Sequence, residues 1–100
     1  MASITSLQKQ VMANKVAKGF NTTDIPFEFM LLTEEVGEAF EAWRKKKPDL
    51  GGELADILIY LMGLAEILGF NLDEEVAAKM AINEKRKYVR KNGVLLKEDK

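Results

Sequence analysis

The chain has 100 residues, 47% of them hydrophobic and 31% charged, enough for one compact domain and too few for two. Fifteen Lys and Arg against sixteen Asp and Glu leave a formal net charge of -1, which removes the electrostatic basis for nucleic-acid binding. Cysteine and histidine are both absent, so disulfides, thiolate nucleophiles, imidazole bases and zinc sites of the usual kind are excluded, and any metal must be held by oxygen. A reducing, cytoplasmic setting is the default expectation. Neither a long apolar run nor the layout of a signal peptide is present, so no membrane partner is expected.

Apolar residues recur every three or four positions, which predicts helices throughout. The first spans about Ser3 to Lys18, with Ile4, Leu7 and Val11 on one face and Gly19 where a helix can stop. Thr23 or Asp24 is the candidate N-cap of a second helix, with Pro26 in its first turn and an end near Lys46. Pro48, Gly51 and Gly52 break the pattern, Asp49 can cap a third helix, and the short connection makes helices two and three antiparallel neighbours.

The third helix, from about Gly52 to Leu68, contains Ile57 to Met62 and is apolar nearly all round. So small a domain cannot cover such a helix by itself, and a second subunit is expected against it. Gly69 ends it, and Asn71 with Glu74 resembles a capping box opening a fourth helix that runs to about Tyr88 or Arg90. Residues from about Asn92 to Lys100 are read as a tail outside the core, with no function assigned. The aromatics Phe27, Phe29, Phe40, Trp43 and Phe70 are read as core.

Glu34, Glu35 and Glu38 share a face of the second helix, and Glu53, Asp56 and Tyr60 share a stripe of the third. Like charges so placed repel unless a cation compensates, and Mg²⁺ suits such all-oxygen ligand sets. A solvated acidic face is the plain alternative, and it is the reading given to Glu28, Glu41, Glu66, Glu74 and Glu75. On the fourth helix Lys79, Asn83 and Arg86 follow an i, i+4, i+7 stripe that suits phosphate oxygens, against the alternative of cations favoured by a helix C-terminus. Asn83 is expected near the buried edge. The clusters Arg44 to Lys47 and Lys85 to Lys91 are assigned to helix C-termini rather than to nucleic acid. Phe20, in a polar loop, is a candidate for stacking on a base.

Taken together, Glu34-Glu35-Val36-Gly37-Glu38, Glu53-Leu54-Ala55-Asp56 and the segment from Lys79 to Arg86 resemble the all-α nucleoside triphosphate pyrophosphohydrolases of the MazG type, a superfamily that includes dCTP pyrophosphatases and dimeric dUTPases. The resemblance covers about Phe20 to Tyr88. It implies one all-α domain over residues 1–100, a four-helix bundle completed by oligomerisation as a homodimer or a homotetramer, with sites between helices of neighbouring chains. It implies hydrolysis of a nucleoside triphosphate between its α and β phosphates, in the service of nucleotide-pool cleansing. Glu35, Glu38, Glu53 and Asp56 would be Mg²⁺ ligands, with Mn²⁺ as a substitute, and Glu34 a further ligand or the group that orients water. Lys79, Asn83, Arg86, Tyr60 and Phe20 would bind substrate. Two alternatives stay open: a phosphoribosyl-ATP pyrophosphatase-like enzyme, which shares the acidic pattern, and a non-catalytic helical interaction module.

Overall fold

The computed structural model describes residues 3–98. Four helices follow in order, α1 (Ile4–Lys18), α2 (Ile25–Arg44), α3 (Leu50–Leu68) and α4 (Leu72–Lys85), and then a hairpin of β1 (Tyr88–Lys91) and β2 (Val94–Lys97). The helix boundaries obey local chemistry. The Ser3 hydroxyl caps α1 by accepting from Ser6 N–H, Asp24 caps α2 by accepting from Phe27 N–H, and Asn71 caps α4 by accepting from Glu74 N–H. Gly19 and Gly69 close α1 and α3 in the left-handed conformation, which costs glycine nothing. Asp49 sits at the N-cap position of α3 but its side chain makes no capping bond.

α2 and α3 pack along each other, α1 lies across α3, and α4 packs on α1 only near its own start. The core is correspondingly small, with Ala39, Ala42, Met62, Leu64 and Ala65 buried. A Cβ added at Gly63 would meet Lys15 Cδ and Val11 Cγ1 at 3.3 Å each, so the missing methyl lets the Lys15 stem cross α3.

Two polar devices set the helix arrangement. The buried Gln8 amide donates to Phe70 O at 2.8 Å and accepts from Leu72 N–H at 2.8 Å. Thr5 adds bonds from its N–H and its hydroxyl to Asp73 Oδ2 at 2.8 and 2.6 Å, and these hold the Asp73 carboxyl below its ordinary range. Together they clamp the α3–α4 turn to α1 and fix the direction in which α4 leaves.

The structure revises several expectations. The fourth helix stops at Lys85, and the segment read as helix end and tail is the hairpin, closed by Asn92 and Gly93 at φ 51 and 77. Asn-Gly with both residues at positive φ is the usual two-residue hairpin turn, and the flanking Val and Leu residues suit strands. The second helix ends two residues early because Lys46 takes φ 55. Phe27, Phe29, Phe40, Trp43 and Phe70 are exposed rather than core, and Asn83 is exposed rather than at a buried edge. Glu28, expected on a solvated face, is instead 1% exposed. Its Oε1 accepts from Lys15 Nζ at 2.7 Å, and its Oε2 accepts from Asn21 Nδ2 at 3.0 Å. Glu66 likewise has a partner on another helix, accepting from Gln8 Nε2 at 3.3 Å.

Candidate active site

The i, i+3 spacing of Glu35 and Glu38 brings both carboxylates to the α3 side of α2, and the first turn of α3 carries Glu53 to meet them. One carboxylate oxygen from each of the three lies within 4.8 Å of the others. Glu35 Oε2 is buried with no hydrogen-bond partner among the described residues. A buried oxygen left without a donor is costly, and three converging carboxylates make that cost worse. The donor set therefore fits a hard divalent cation, which is bound by oxygen and tolerates exposed positions for other ligands.

Protonation follows from this crowding. Burial, then hydrogen bonding and repulsion from Glu38, then the charges of Asp56 and Glu53, push the Glu35 carboxyl up to about 7. Glu53 is also raised, by desolvation and by Glu38, Asp49 and Asp56. Asp56 lies outside the three converging oxygens but within reach of them by charge, and Glu34 is exposed. Tyr60 continues the Asp56 stripe, and its hydroxyl is held protonated by desolvation and by the charges of Glu35 and Glu28.

A folded carboxyl with a raised pKa holds its proton more tightly than the unfolded chain does, so stability falls as pH rises through the interval between the two values. For Glu35 that interval runs from 4.5 to about 7. The metal-free protein is expected to lose melting temperature between those pH values, and Glu35→Gln to flatten the slope; an equal slope in the variant would contradict the assignment. Glu41 and Asp73, whose pKa values are lowered, lose their contribution only on the acid side of this window.

Tyr60, which feels the charge of Glu35, and Phe20 wall a cavity of about 370 Å³ that opens between α1 and α3, also lined by Leu7, Gln10, Val11 and Asn14. A smaller cavity that shares Lys15, Phe20 and Tyr60 with it is also lined by Asn21 and Glu28. Phe20 and Tyr60 line both cavities, and Gln10 and Asn14, which the sequence did not single out, line the larger one with them. Their i, i+4 amides on the face opposite the α1 clamp were the available signal. Lys79, Asn83 and Arg86 do not join the carboxylates within one chain, because α4 diverges from α2 and α3. Lys79 and Asn83 are exposed, and Arg86 Nη1 donates to Asn83 Oδ1 at 3.1 Å.

The fold and site define a class: an α-helical bundle that assembles a carboxylate cluster from two antiparallel helices beside an aromatic-walled cavity. The chain belongs to the MazG-like family, which matches residues 28–98. It is similar to a dATP/dGTP diphosphohydrolase of cyanophage S-2L, at 41% identity over 59 residues, 59% of this chain and 53% of that protein. A dATP/dGTP diphosphohydrolase of Salmonella phage PMBT28 is 37% identical over 62 residues, 55% of this chain and 21% of that protein. The matching region therefore spans about half of the first relative and about a fifth of the second. Among solved structures, the cyanophage S-2L MazG-like pyrophosphohydrolase bound to dGDP and three catalytic Mn²⁺ ions per active site aligns with a TM-score of 0.78 and 28% identity, over 99% of this chain and 100% of that one.

Proposed function

We propose that this chain is a divalent-metal-dependent nucleotide pyrophosphohydrolase, splitting a nucleoside triphosphate between its α and β phosphates into a nucleoside monophosphate and pyrophosphate. The observation that carries the reading is the convergence of Glu35, Glu38 and Glu53 around a buried, unpartnered oxygen. Family membership supports it, as does the likeness to a structure holding dGDP and Mn²⁺. Glu35, Glu38 and Glu53, with Asp56 beside them, would hold Mg²⁺, or Mn²⁺ in its place. Divalent ions held by these carboxylates would neutralise phosphate charge and would lower the pKa of an attacking water. In the reaction a water oxygen ends on one phosphorus, the bridging oxygen leaves with the other fragment, and the proton passes to a base. Glu34, exposed one helical turn from Glu38, is the carboxylate available to orient that water and take the proton. Phe20 and Tyr60 would flank the base in the cavity, Tyr60 as a neutral donor. The cellular setting would be the cytoplasm, in cleansing of the nucleotide pool.

The assembly belongs to the same proposal. Val36, Phe40 and Trp43 form an i, i+4, i+7 stripe on α2, 50, 59 and 62% exposed, and Leu54, Leu58 and Leu61 form another on α3. A compact monomer of 11.3 kDa exposes roughly 5,700 Å², whereas this chain exposes 7765 Å². The excess is more than the ~800 Å² per partner of a standard interface. A homodimer or homotetramer that covers the α2–α3 stripes accounts for the excess and gives Lys79, Asn83 and Arg86 a route to a neighbour's carboxylates.

The test is release of pyrophosphate from a panel of ribo- and deoxynucleoside triphosphates, with dATP and dGTP first because the relatives bear those names. Release that requires Mg²⁺ or Mn²⁺ and stops with EDTA is expected. No release from any triphosphate would leave the phosphoribosyl-ATP enzyme or the interaction module.

A further inference from the structure

Lys15 sits where a lysine is hard to keep. Its side chain is 10% exposed, and Nζ donates to Glu28 Oε1 at 2.7 Å. A buried ion pair offsets its desolvation only when the remaining protons also find acceptors, and an ammonium has three to place. Among the described residues, Glu28 is the one hydrogen-bond partner of Lys15 Nζ. Glu28 itself is fully engaged: its Oε2 accepts from Asn21 Nδ2 at 3.0 Å, and the residue is 1% exposed. Donor capacity is thus left over on Lys15, a residue that lines both the larger and the smaller cavity.

The surroundings narrow the kind of group that can meet that donor. Leu7, Val11 and Met62 join Phe20 and Tyr60 in the wall of the larger cavity, and Phe27 and Leu31 join them in the smaller. A phosphate would lose its hydration among these side chains, and the Glu28 carboxylate already balances the ammonium charge. The acceptor that suits such a site is neutral, a carbonyl oxygen on a flat ring held between the aromatics. Besides Lys15 and Glu28, the polar side chains lining the two cavities are the amides of Gln10, Asn14 and Asn21 and the Tyr60 hydroxyl, and each of these both donates and accepts. Lys15 only donates, so it is the side chain able to tell an oxo group from an amino group.

We propose that Lys15 selects the base: the site takes purines that present an oxo oxygen to its ammonium, guanine and hypoxanthine, over adenine, which presents an amino group in the same place. This inference rests on the reading of the reaction above, with Phe20 and Tyr60 flanking the base. An amino group facing the ammonium sets donor against donor and leaves a buried N–H unpaired. A site built around a buried polar group discriminates most strongly against the substrate that strands it. Glu28 acts through Lys15, as a positioning residue that fixes the ammonium at the cavity wall.

The measurement is kcat/KM for pyrophosphate release from dGTP, dITP and dATP in the presence of Mn²⁺. dITP lacks the 2-amino group of dGTP and keeps the oxo oxygen, so it isolates the contact in question. The natural chain is expected to favour both oxopurines over dATP by at least about tenfold, the scale of one hydrogen bond to a charged group. Two variants remove the selective donor by different routes. Lys15→Met with Glu28→Leu deletes the pair without stranding a charge, and Lys15→Gln substitutes an amide that both donates and accepts. In both, the ratio of oxopurine to dATP is expected to fall to about one. Equal values for the three substrates in the natural chain would overturn the inference, as would a preference for dGTP that dITP does not share, or one that persists in the variants. A loss by the same factor for all three substrates would overturn it as well, because a phosphate contact or a purely structural pair affects every base alike. No release from any of the three would overturn the reading of the reaction and this inference with it, whereas metal-dependent release without base preference would overturn the inference alone.

Discussion

Glu53→Gln is expected to lower pyrophosphate release by at least about a thousandfold, ~4 kcal/mol in barrier, without changing the far-ultraviolet circular dichroism. The amide keeps the shape of the side chain and removes the charge that completes the three-carboxylate cluster. It also relieves repulsion. The metal-free variant should therefore melt above the natural chain, and the stabilisation that Mn²⁺ gives the natural chain should shrink in it. A variant that kept a tenth of the activity would show that Glu53 holds no essential ion. A variant with lower stability would show that the cluster is a structural network.

The second large effect concerns stability. Glu28→Leu is expected to cost about 3–5 kcal/mol in urea unfolding, because it strands the Lys15 ammonium in a buried position. Asn21 Nδ2 loses an acceptor as well, although it keeps Asp24 O at 3.0 Å. Lys15→Met combined with Glu28→Leu removes both charges and should recover most of the loss, since an apolar pair of similar volume often replaces a buried ion pair at little cost. A single variant within 1 kcal/mol of the natural chain (about a fivefold change in the folding equilibrium) would mean that water reaches the amine.

These two predictions differ in how far they could be read from the sequence. Glu35, Glu38 and Glu53 were legible because their spacing is a property of single helices, and a short connection forces those helices side by side. The caps at Asp24, Gly19, Gly69 and Asn71 were legible for the same reason. Lys15 and Glu28 were not. They are thirteen residues apart on different helices, and no periodicity announces a pair that exists only once α1 and α2 have docked. The course of α4 was hidden in the same way, since Thr5 and Gln8 set it from more than sixty residues away. The hairpin was missed for another reason. Apolar residues at helical spacing lead smoothly into Tyr88, and the Asn92-Gly93 turn signal was present but outweighed by that period.

The glycine at position 63 carries an implication for how this interior tolerates change. It has no charge and no side chain, yet its bare α-carbon is the doorway through which the Lys15 stem reaches Glu28. A methyl there would press on a flexible stem, while a branched side chain would wedge α1 away from α3 and pull the ammonium out of reach. The electrostatics beneath the aromatic wall are thus governed by a volume constraint. A survey of variation confined to polar residues would overlook the position on which that ion pair depends.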